Sequence, residues 1–220
     1  MRLHAIVDVD ASTRAGLIPL EVARAFLAAG ARLLQVRAKT LGSRAFLELA
    51  DACVSAALPC NASIIINDRV DIARLSGAAG VHVGQDDLSP SAARQLLGER
   101  AIVGVSTHTV PQIEAALRES VSYVAIGPVF STGSKDTGYD AVGLTLVSTA
   151  ARLAGHVPVV AIGGITLDNA SSVIAAGAAS VAVIGDLLAG GDPERRTRAF
   201  LQRLPDPPPP PASAGQANRV

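Results

Sequence analysis

Residues 63–83 read SIIINDRVDIARLSGAAGVHV, and this stretch decides the fold. Its β-branched run Ser63–Asn67 predicts a buried strand, and the segment Val70–Leu75 that follows predicts a helix. Gly77 can adopt the left-handed conformation that ends helices, and a second apolar run, Gly80–Val83, comes directly after it. Strand, helix and strand in such close succession indicate a parallel sheet that is covered by helices.

The same alternation continues along the chain in both directions. Strands are predicted over Leu3–Val9, Leu33–Arg37, Ser63–Asn67, Gly80–Val83, Ile102–Ser106, Tyr123–Gly127, Val159–Ile162 and Ser180–Ile184. Helices are predicted over Leu20–Ala29, Ser43–Ala57, Val70–Leu75, Pro90–Leu97, Val110–Glu119, Leu144–Ala154, Asp168–Ala176 and Pro193–Leu204. This alternation predicts an α/β fold, the (β/α)8 TIM barrel. An open doubly wound sheet is the alternative, but no Gly-rich dinucleotide loop follows the first strand.

Length and composition are consistent with one domain of this kind. The chain has 220 residues, of which 49% are hydrophobic and 17% charged, so residues 1–204 are expected to form one catalytic barrel domain. Residues 205–220 contain a run of prolines followed by small polar residues, which predicts a disordered Pro-rich tail. A proline-binding partner for the tail is the alternative to a passive extension.

The residue types exclude several classes of function. The formal net charge is +0 and the chain has no Trp, so neither a basic surface nor a stacking platform for nucleic acid is expected. No apolar run reaches the ~18 residues of a membrane helix, and the acidic start does not resemble a signal peptide. Cys53 and Cys60 lack metal-binding spacing and form no disulfide framework, which suits a cytoplasmic protein. No oligomeric state is indicated.

Polar residues follow several predicted strands, where a barrel of this type builds its reactive face. Gln35, Arg37 and Lys39 alternate with apolar residues, so they should share one face at a spacing of ~6.6 Å and form an anion site. A strand that runs out into solvent is the alternative. Asp68 and Asp87 follow the third and fourth strands, where two carboxylates can share Mg²⁺ with substrate phosphates or can simply cap helices.

Lysine is rare in this chain, which directs attention to the two positions that keep it. Of the 19 basic residues, all except Lys39 and Lys135 are arginine, and the exceptions indicate sites that need a compact ammonium. Lys135 lies in a loop, residues 127–138, that is rich in Gly, Ser and Thr. Such a loop suits phosphate groups, and a plain flexible loop is the alternative.

Three further polar residues lie near strand ends. Ser106 follows the fifth strand, where its hydroxyl could bond a ligand or cap a helix. His82 is interpreted as a packed core histidine, and His108 as a loop residue that faces solvent. The glycines Gly163-Gly164 and Gly185 after the last two strands would let a phosphate approach the backbone, or would serve tight turns only.

These motifs together resemble the thiamine phosphate synthase family from about Leu3 to Leu204. The resemblance is carried by Gln35-Val36-Arg37-Ala38-Lys39, Asn67-Asp68-Arg69, Gly80-Val81-His82-Val83-Gly84-Gln85-Asp86-Asp87, Gly104-Val105-Ser106, Thr132-Gly133-Ser134-Lys135 and Ile162-Gly163-Gly164-Ile165. It implies a transferase that condenses hydroxymethylpyrimidine diphosphate with thiazole phosphate, both small phosphorylated molecules. The products would be thiamine phosphate and pyrophosphate, formed in a dissociative substitution assisted by Mg²⁺.

The resemblance also implies a role for each site residue. The diphosphate would be held by Gln35, Arg37, Lys39, Asn67 and Lys135. Mg²⁺ would be bound by Asp68 and Asp87, with Asp86 as the less suitable neighbour. Ser106 would contact the pyrimidine or its diphosphate, and the thiazole phosphate would meet Thr132, Ser134 and backbone amides near Gly164, Ile184 and Gly185. The residues implied in catalysis are Lys135, Arg37 and Ser106.

Two positions depart from the family pattern, and both lie near the thiazole phosphate. Gly185 replaces a usual Ser, and Asp186 replaces a small residue. Asp186 is expected either to repel the phosphate or to cap the last helix.

Two other functions compete with the synthase. One is an isomerase similar to thiazole tautomerase, and the other is a non-catalytic barrel that binds phosphorylated metabolites. A generic phosphosugar isomerase would need acid–base carboxylates that are not evident. The two lysines and the two metal carboxylates favour the synthase, because a monophosphate requires no such site.

Overall fold

The computed structural model describes residues 1–131 and 139–204, which form a closed barrel of eight parallel strands in sequence order. The strands are β1 Leu3–Asp8, β2 Leu33–Arg37, β3 Ser63–Asn67, β4 Gly80–Val83, β5 Ile102–Thr107, β6 Tyr123–Ile126, β7 Val159–Ile162 and β8 Ser180–Val183. β8 returns to β1, with Leu3 opposite Val181, and closes the barrel. The predicted (β/α)8 fold is therefore confirmed.

Helices surround the barrel in the predicted alternation. Within the described residues they are α1 Val9–Arg14, α2 Pro19–Ala29, α3 Ser43–Ala57, α4 Val70–Ser76, α5 Pro90–Leu97, α6 Val110–Leu117, α7 Gly143–Ala154, α8 Ala170–Ala175 and α9 Pro193–Arg203, with 3-10 turns at Leu58–Cys60 and Gly185–Gly191. None of these helices is both long enough and apolar enough to cross a membrane. The phosphate-loop residues 132–138 and the predicted tail, residues 205–220, lie outside the described part of the chain.

The first helix was not predicted, and the reason lies at the end of β1. The run to Val9 looks like one strand, but Asp8 ends it because its Oδ1 accepts a hydrogen bond from the amide of Ala11 at 2.7 Å. A carboxylate in this position caps a helix by satisfying an amide that has no partner within the helix. The chain therefore turns into α1 at Val9.

The hydrophobic residues form two separate layers. The larger one lies between the strands and the helices and includes Phe26, Phe46 and Phe200, all buried. A smaller cluster lies inside the barrel and contains Ile6, Tyr123, Ala125, Val160, Ala182 and Ile184. The barrel interior also holds polar side chains, and these continue upward into the site.

Candidate active site

The carboxyl ends of the strands enclose a cavity of about 390 Å³. Around it the structure places many of the residues singled out from the sequence, namely Gln35, Arg37, Asn67, Ser106, Gly164, Ile184 and Gly185. Parallel strands bring these residues to one mouth because all their carboxyl ends point the same way. Thr132, Ser134 and Lys135 lie outside the described residues, so their predicted roles stay predictions.

Arg37, the last residue of β2, is held by a buried carboxylate that sequence reasoning missed. Its Nη1 donates a hydrogen bond of 2.5 Å to Oδ2 of Asp8, and the side chains are 12% and 1% exposed respectively. The two residues lie opposite each other in the β1–β2 register. The available signal was an acidic residue at the end of β1, next to a strand that ends in arginine.

Lys39 does not line the cavity with Gln35 and Arg37. The alternation that was expected to put all three on one face ends with β2 at Arg37, so Lys39 lies beyond the strand and is half exposed. Its Nζ forms an ion pair with the carboxylate of Asp68. Asp68 has a φ of +63°, a left-handed conformation that is uncommon outside glycine.

Asp68 and Asp87 are neighbours, as the sequence interpretation required. The two carboxyl groups are within hydrogen-bonding reach, and Oδ2 of Asp87 also accepts from the amide of Gly84 at 2.7 Å. Partial burial raises the pKa of Asp87, and the nearby charge of Asp68 raises it further. The charge of Asp68 disfavours ionisation of Asp87, and the two carboxyl groups together form an oxygen donor set that a cation would stabilise.

A hydrogen-bonded chain runs through the barrel interior beneath the cavity. Tyr123 Oη lies 2.9 Å from His82 Nδ1, and His82 Nε2 lies 2.8 Å from Ser106 Oγ. Gln35 also bonds the Tyr123 hydroxyl, whose pKa is raised by burial. His82 is buried, as predicted, but it also lines the cavity and orients Ser106 there.

Two residues support this hydrogen-bonded chain. Gly104 leaves room for the ring of Tyr123, and His4 packs against that ring. A Cβ on Gly104 would lie 2.0 Å from the Tyr123 ring, so only glycine admits that ring into the barrel. His4 packs edge-on against Tyr123, with 5.8 Å between ring centroids. Neither ring nitrogen of His4 has a hydrogen-bond partner among the described residues, and burial lowers its pKa to about 4. His4 is therefore neutral near pH 7.

The interpretation of His108 as a solvent-facing residue is wrong. Its Nδ1 lies 2.5 Å from the carbonyl oxygen of Gly127, and its ring stacks on Tyr139 with 3.9 Å between centroids. It lines the cavity at the end of β5. The sequence could not indicate this, because both partners belong to the segment that follows β6.

The glycines after β7 satisfy both alternatives left open by the sequence, since they line the cavity and also allow close packing. Gly163 and Gly164 have φ values of +102° and +62°. A Cβ on Gly164 would lie 2.6 Å from the carbonyl oxygen of Ser131. The amide of Phe130 donates to the carbonyl oxygen of Gly163 at 3.0 Å, so the segments after β6 and β7 are held against each other.

Asp186, which departs from the family pattern, neither caps the last helix nor carries an unbalanced charge. Its carboxylate forms an ion pair with Arg196, with Nη2 at 2.8 Å from Oδ2, and accepts from the amide of Leu167 at 2.9 Å. The cap of α9 is Asp192, which accepts from the amide of Arg195. The guanidinium of Arg196 balances the negative charge that was expected to repel a phosphate.

Comparison with known proteins gives consistent matches over most of the chain. Residues 3–187 match the family model described as thiamine monophosphate synthase. The chain is 46% identical over 205 residues to the thiamine-phosphate synthase of Koribacter versatilis strain Ellin345, covering 92% of this chain and 95% of that protein. It is 41% identical over 198 residues to the thiamine-phosphate synthase of Roseiflexus castenholzii, covering 90% and 86%.

A solved structure is similar in fold. Thiamine phosphate pyrophosphorylase from Pyrococcus furiosus superposes with a TM-score of 0.83 at 27% sequence identity, covering 92% of this chain and 94% of the other.

Proposed function

Because the chain belongs to the thiamine monophosphate synthase family, we propose that it is a thiamine phosphate synthase, a transferase that joins hydroxymethylpyrimidine diphosphate to thiazole phosphate. The observation that carries the proposal is one cavity with two unlike sides. Arg37 and Asn67 lie on the first side, and the glycine-rich ends of β7 and β8 lie on the other. Two different phosphorylated substrates can therefore face each other across it.

The reaction forms one bond and breaks one bond. The C–O bond between the pyrimidine methylene carbon and the diphosphate breaks, and pyrophosphate leaves with the electron pair. The thiazole nitrogen then attacks the methylene cation with its lone pair, so no general base is required. Hydrogen bonds and positive charge that meet the leaving oxygens lower the barrier, because negative charge develops there in the transition state.

Each part of the site has a share in this mechanism. The departing diphosphate is bound and stabilised by Gln35, Arg37, Lys39, Asn67 and Lys135. Ser106 contacts the pyrimidine or its diphosphate. The hydroxyl of Ser106 is held by His82, which fixes the direction in which it can donate. The amides near Gly164, Ile184 and Gly185 bind the thiazole phosphate, and the sequence predicts Thr132 and Ser134 as further contacts to it.

Magnesium fits the donor set formed by Asp68 and Asp87, and Asp68 directly follows Asn67, which lines the cavity. Asp68 and Asp87 supply neighbouring carboxylates, whereas no group of three or more His, Cys, Asp and Glu side chains suited to a metal occurs in residues 1–131 and 139–204. Two protein carboxylates plus substrate phosphate oxygens are the usual ligands of Mg²⁺. Bound there, Mg²⁺ would supply positive charge to the diphosphate oxygens.

A substitution at Asp68 tests the magnesium site without depending on turnover. We expect Asp68→Asn to weaken binding of Mg²⁺ in the presence of pyrophosphate by at least about tenfold, because one of two charged ligands is lost. Titration calorimetry measures this directly. Asp86→Asn, which changes an exposed neighbouring carboxylate, is the matched control and should bind Mg²⁺ as the wild type does. Equal binding by both variants would contradict the assignment.

The activity itself is tested by reconstitution. Purified protein is incubated with both phosphorylated substrates and Mg²⁺, and thiamine phosphate and pyrophosphate are measured together. The proposal expects equal amounts of the two products and none when either substrate is omitted. Conversion of a single thiazole phosphate without Mg²⁺ would indicate the isomerase, and binding without any product would indicate the non-catalytic barrel.

The free thiols of Cys53 and Cys60 suit the cytoplasmic location that belongs to the same proposal.

A further inference from the structure

We infer that Asp8 is a positioning residue, which holds the guanidinium of Arg37 in place to receive the diphosphate of the pyrimidine substrate. The inference rests on the proposed function and deepens it. Asp8 itself does not line the cavity, whereas Arg37 does. Asp8 therefore acts on the substrate through Arg37.

Both oxygens of the Asp8 carboxylate are committed, which makes it a rigid anchor. Oδ1 accepts from the amide of Ala11 at 2.7 Å in the first turn of α1, and Oδ2 accepts from Nη1 of Arg37 at 2.5 Å. The carboxylate is 1% exposed, so water competes little for either bond. The backbone of α1 thus fixes the carboxylate, and the carboxylate fixes the guanidinium.

Arg37 needs such an anchor because arginine is long and flexible. A free arginine side chain loses rotamer entropy when it binds an anion, and a side chain that is already held in place loses less. Asp8 uses Nη1, and Nε is buried without a hydrogen-bond partner among the described residues. The guanidinium has five N–H donors in all, so donors remain for phosphate oxygens.

The pair also sets the charge of the site. An arginine that is 12% exposed would be costly to bury alone, and the carboxylate of Asp8 offsets that cost. The Asp8–Arg37 pair is neutral as a unit, so it binds the diphosphate through directed hydrogen bonds more than through excess charge. Asp8 therefore contributes geometry to the site.

Asp10 provides an internal comparison for Asp8. It lies within α1, two residues after Asp8, and its Oδ1 accepts from the hydroxyl of Thr40 at 2.6 Å, at the surface. Both carboxylates therefore connect α1 to the residues at or beyond the end of β2. Only Asp8 contacts a residue that lines the cavity.

The test is a double-mutant cycle read by pyrophosphate binding and by kinetics. Asp8→Asn keeps an oxygen that can cap Ala11, but it turns an amide donor toward the Arg37 donor. We expect pyrophosphate affinity and kcat/KM for the pyrimidine diphosphate each to fall about tenfold, while KM for thiazole phosphate stays unchanged. In an Arg37→Ala background the same substitution should have no further effect on either quantity.

The controls separate positioning from a loss of structure. Asp10→Asn should bind pyrophosphate as the wild type does. Asp8→Ser, which also keeps a capping oxygen but introduces no amide donor, should reproduce the loss if Asp8→Asn folds poorly. Equal effects of Asp8→Asn with and without Arg37, or no effect on pyrophosphate affinity, would overturn the inference alone. A wild-type protein that binds no pyrophosphate would overturn both the inference and the proposed function.

Discussion

The two sides of the cavity are built from different chemical groups. The charged side, at the ends of β1 to β4, presents side chains that are paired with one another: Asp8 with Arg37, and Lys39 with Asp68. The backbone side, at the ends of β7 and β8, presents Gly163, Gly164 and Gly185, and the carboxylate of Asp186 there is paired with Arg196. One side relies on donors from charged side chains and the other on close approach to the main chain.

This difference follows from what each substrate does in the proposed reaction. The diphosphate gains charge as it leaves, so groups that strengthen their interaction at that moment accelerate the step. The thiazole phosphate keeps its charge throughout, so it needs uniform binding, which backbone amides provide without side-chain entropy. Substitutions on the two sides should therefore affect different kinetic constants.

The largest effect is expected on the charged side. Arg37→Ala removes hydrogen bonds to the leaving diphosphate and should lower kcat by about 100-fold to 1,000-fold, with little change in KM for thiazole phosphate. Steady-state kinetics with each substrate varied in turn will measure it. Arg32→Ala, which changes an exposed arginine just before β2, is the matched control. A large rise in KM for thiazole phosphate would contradict the proposed distinction between the two sides.

The buried histidine beneath the cavity, His4, predicts that the stability of the protein depends on pH. Folding lowers the pKa of His4 from 6.5 to about 4, so between these values the unfolded chain binds a proton that the folded chain excludes. Stability should therefore fall as the pH drops from about 6.5 to 4, by about 3 kcal/mol from this residue. Urea unfolding at pH 7 and pH 4 will show a smaller loss for His4→Phe than for the wild type. His156→Gln, at an exposed position, is the matched control, and parallel curves for His4→Phe and the wild type would reject the explanation.

A methyl group added to the backbone side should affect the other substrate. In Gly164→Ala the new Cβ would lie 2.6 Å from the Ser131 carbonyl oxygen and 2.7 Å from Phe130 Cβ, so the segments after β6 and β7 must separate. We expect KM for thiazole phosphate to rise about tenfold, which is about 1.4 kcal/mol, while KM for the diphosphate substrate stays constant. Gly77→Ala is the control, since its φ of +65° is similar and no atom lies within 4 Å. A rise in both KM values would mean that the substitution disturbs the fold as a whole and not the binding of one substrate.

The smallest effect is expected at Asp186. Because Arg196 already balances its charge, Asp186→Asn should lower KM for thiazole phosphate by no more than about threefold, which is below 1 kcal/mol. Kinetics at two salt concentrations will separate charge from packing. A gain of tenfold or more would mean that the carboxylate repels the phosphate after all.

The regular part of the fold could be predicted from the sequence because it depends on short-range patterns. The bounds of β2, β3, β4, β7, α3 and α5 agree with the residues predicted from apolar runs and helix caps. The missed helix α1 shows where this fails. The pattern of β-branched residues extends to Val9, past the true end of β1. The side chain of Asp8 ends the strand by capping α1.

The sequence by itself determined the order of strands and helices and the residue types that follow each strand, because apolar periodicity and glycine caps act within a few neighbouring residues. Only the tertiary structure decided which side chains meet. Asp8 and Arg37 are 29 residues apart, and His82 and Tyr123 are 41 apart. Closure of the barrel brings such residues together, and burial then determines which donors must find acceptors.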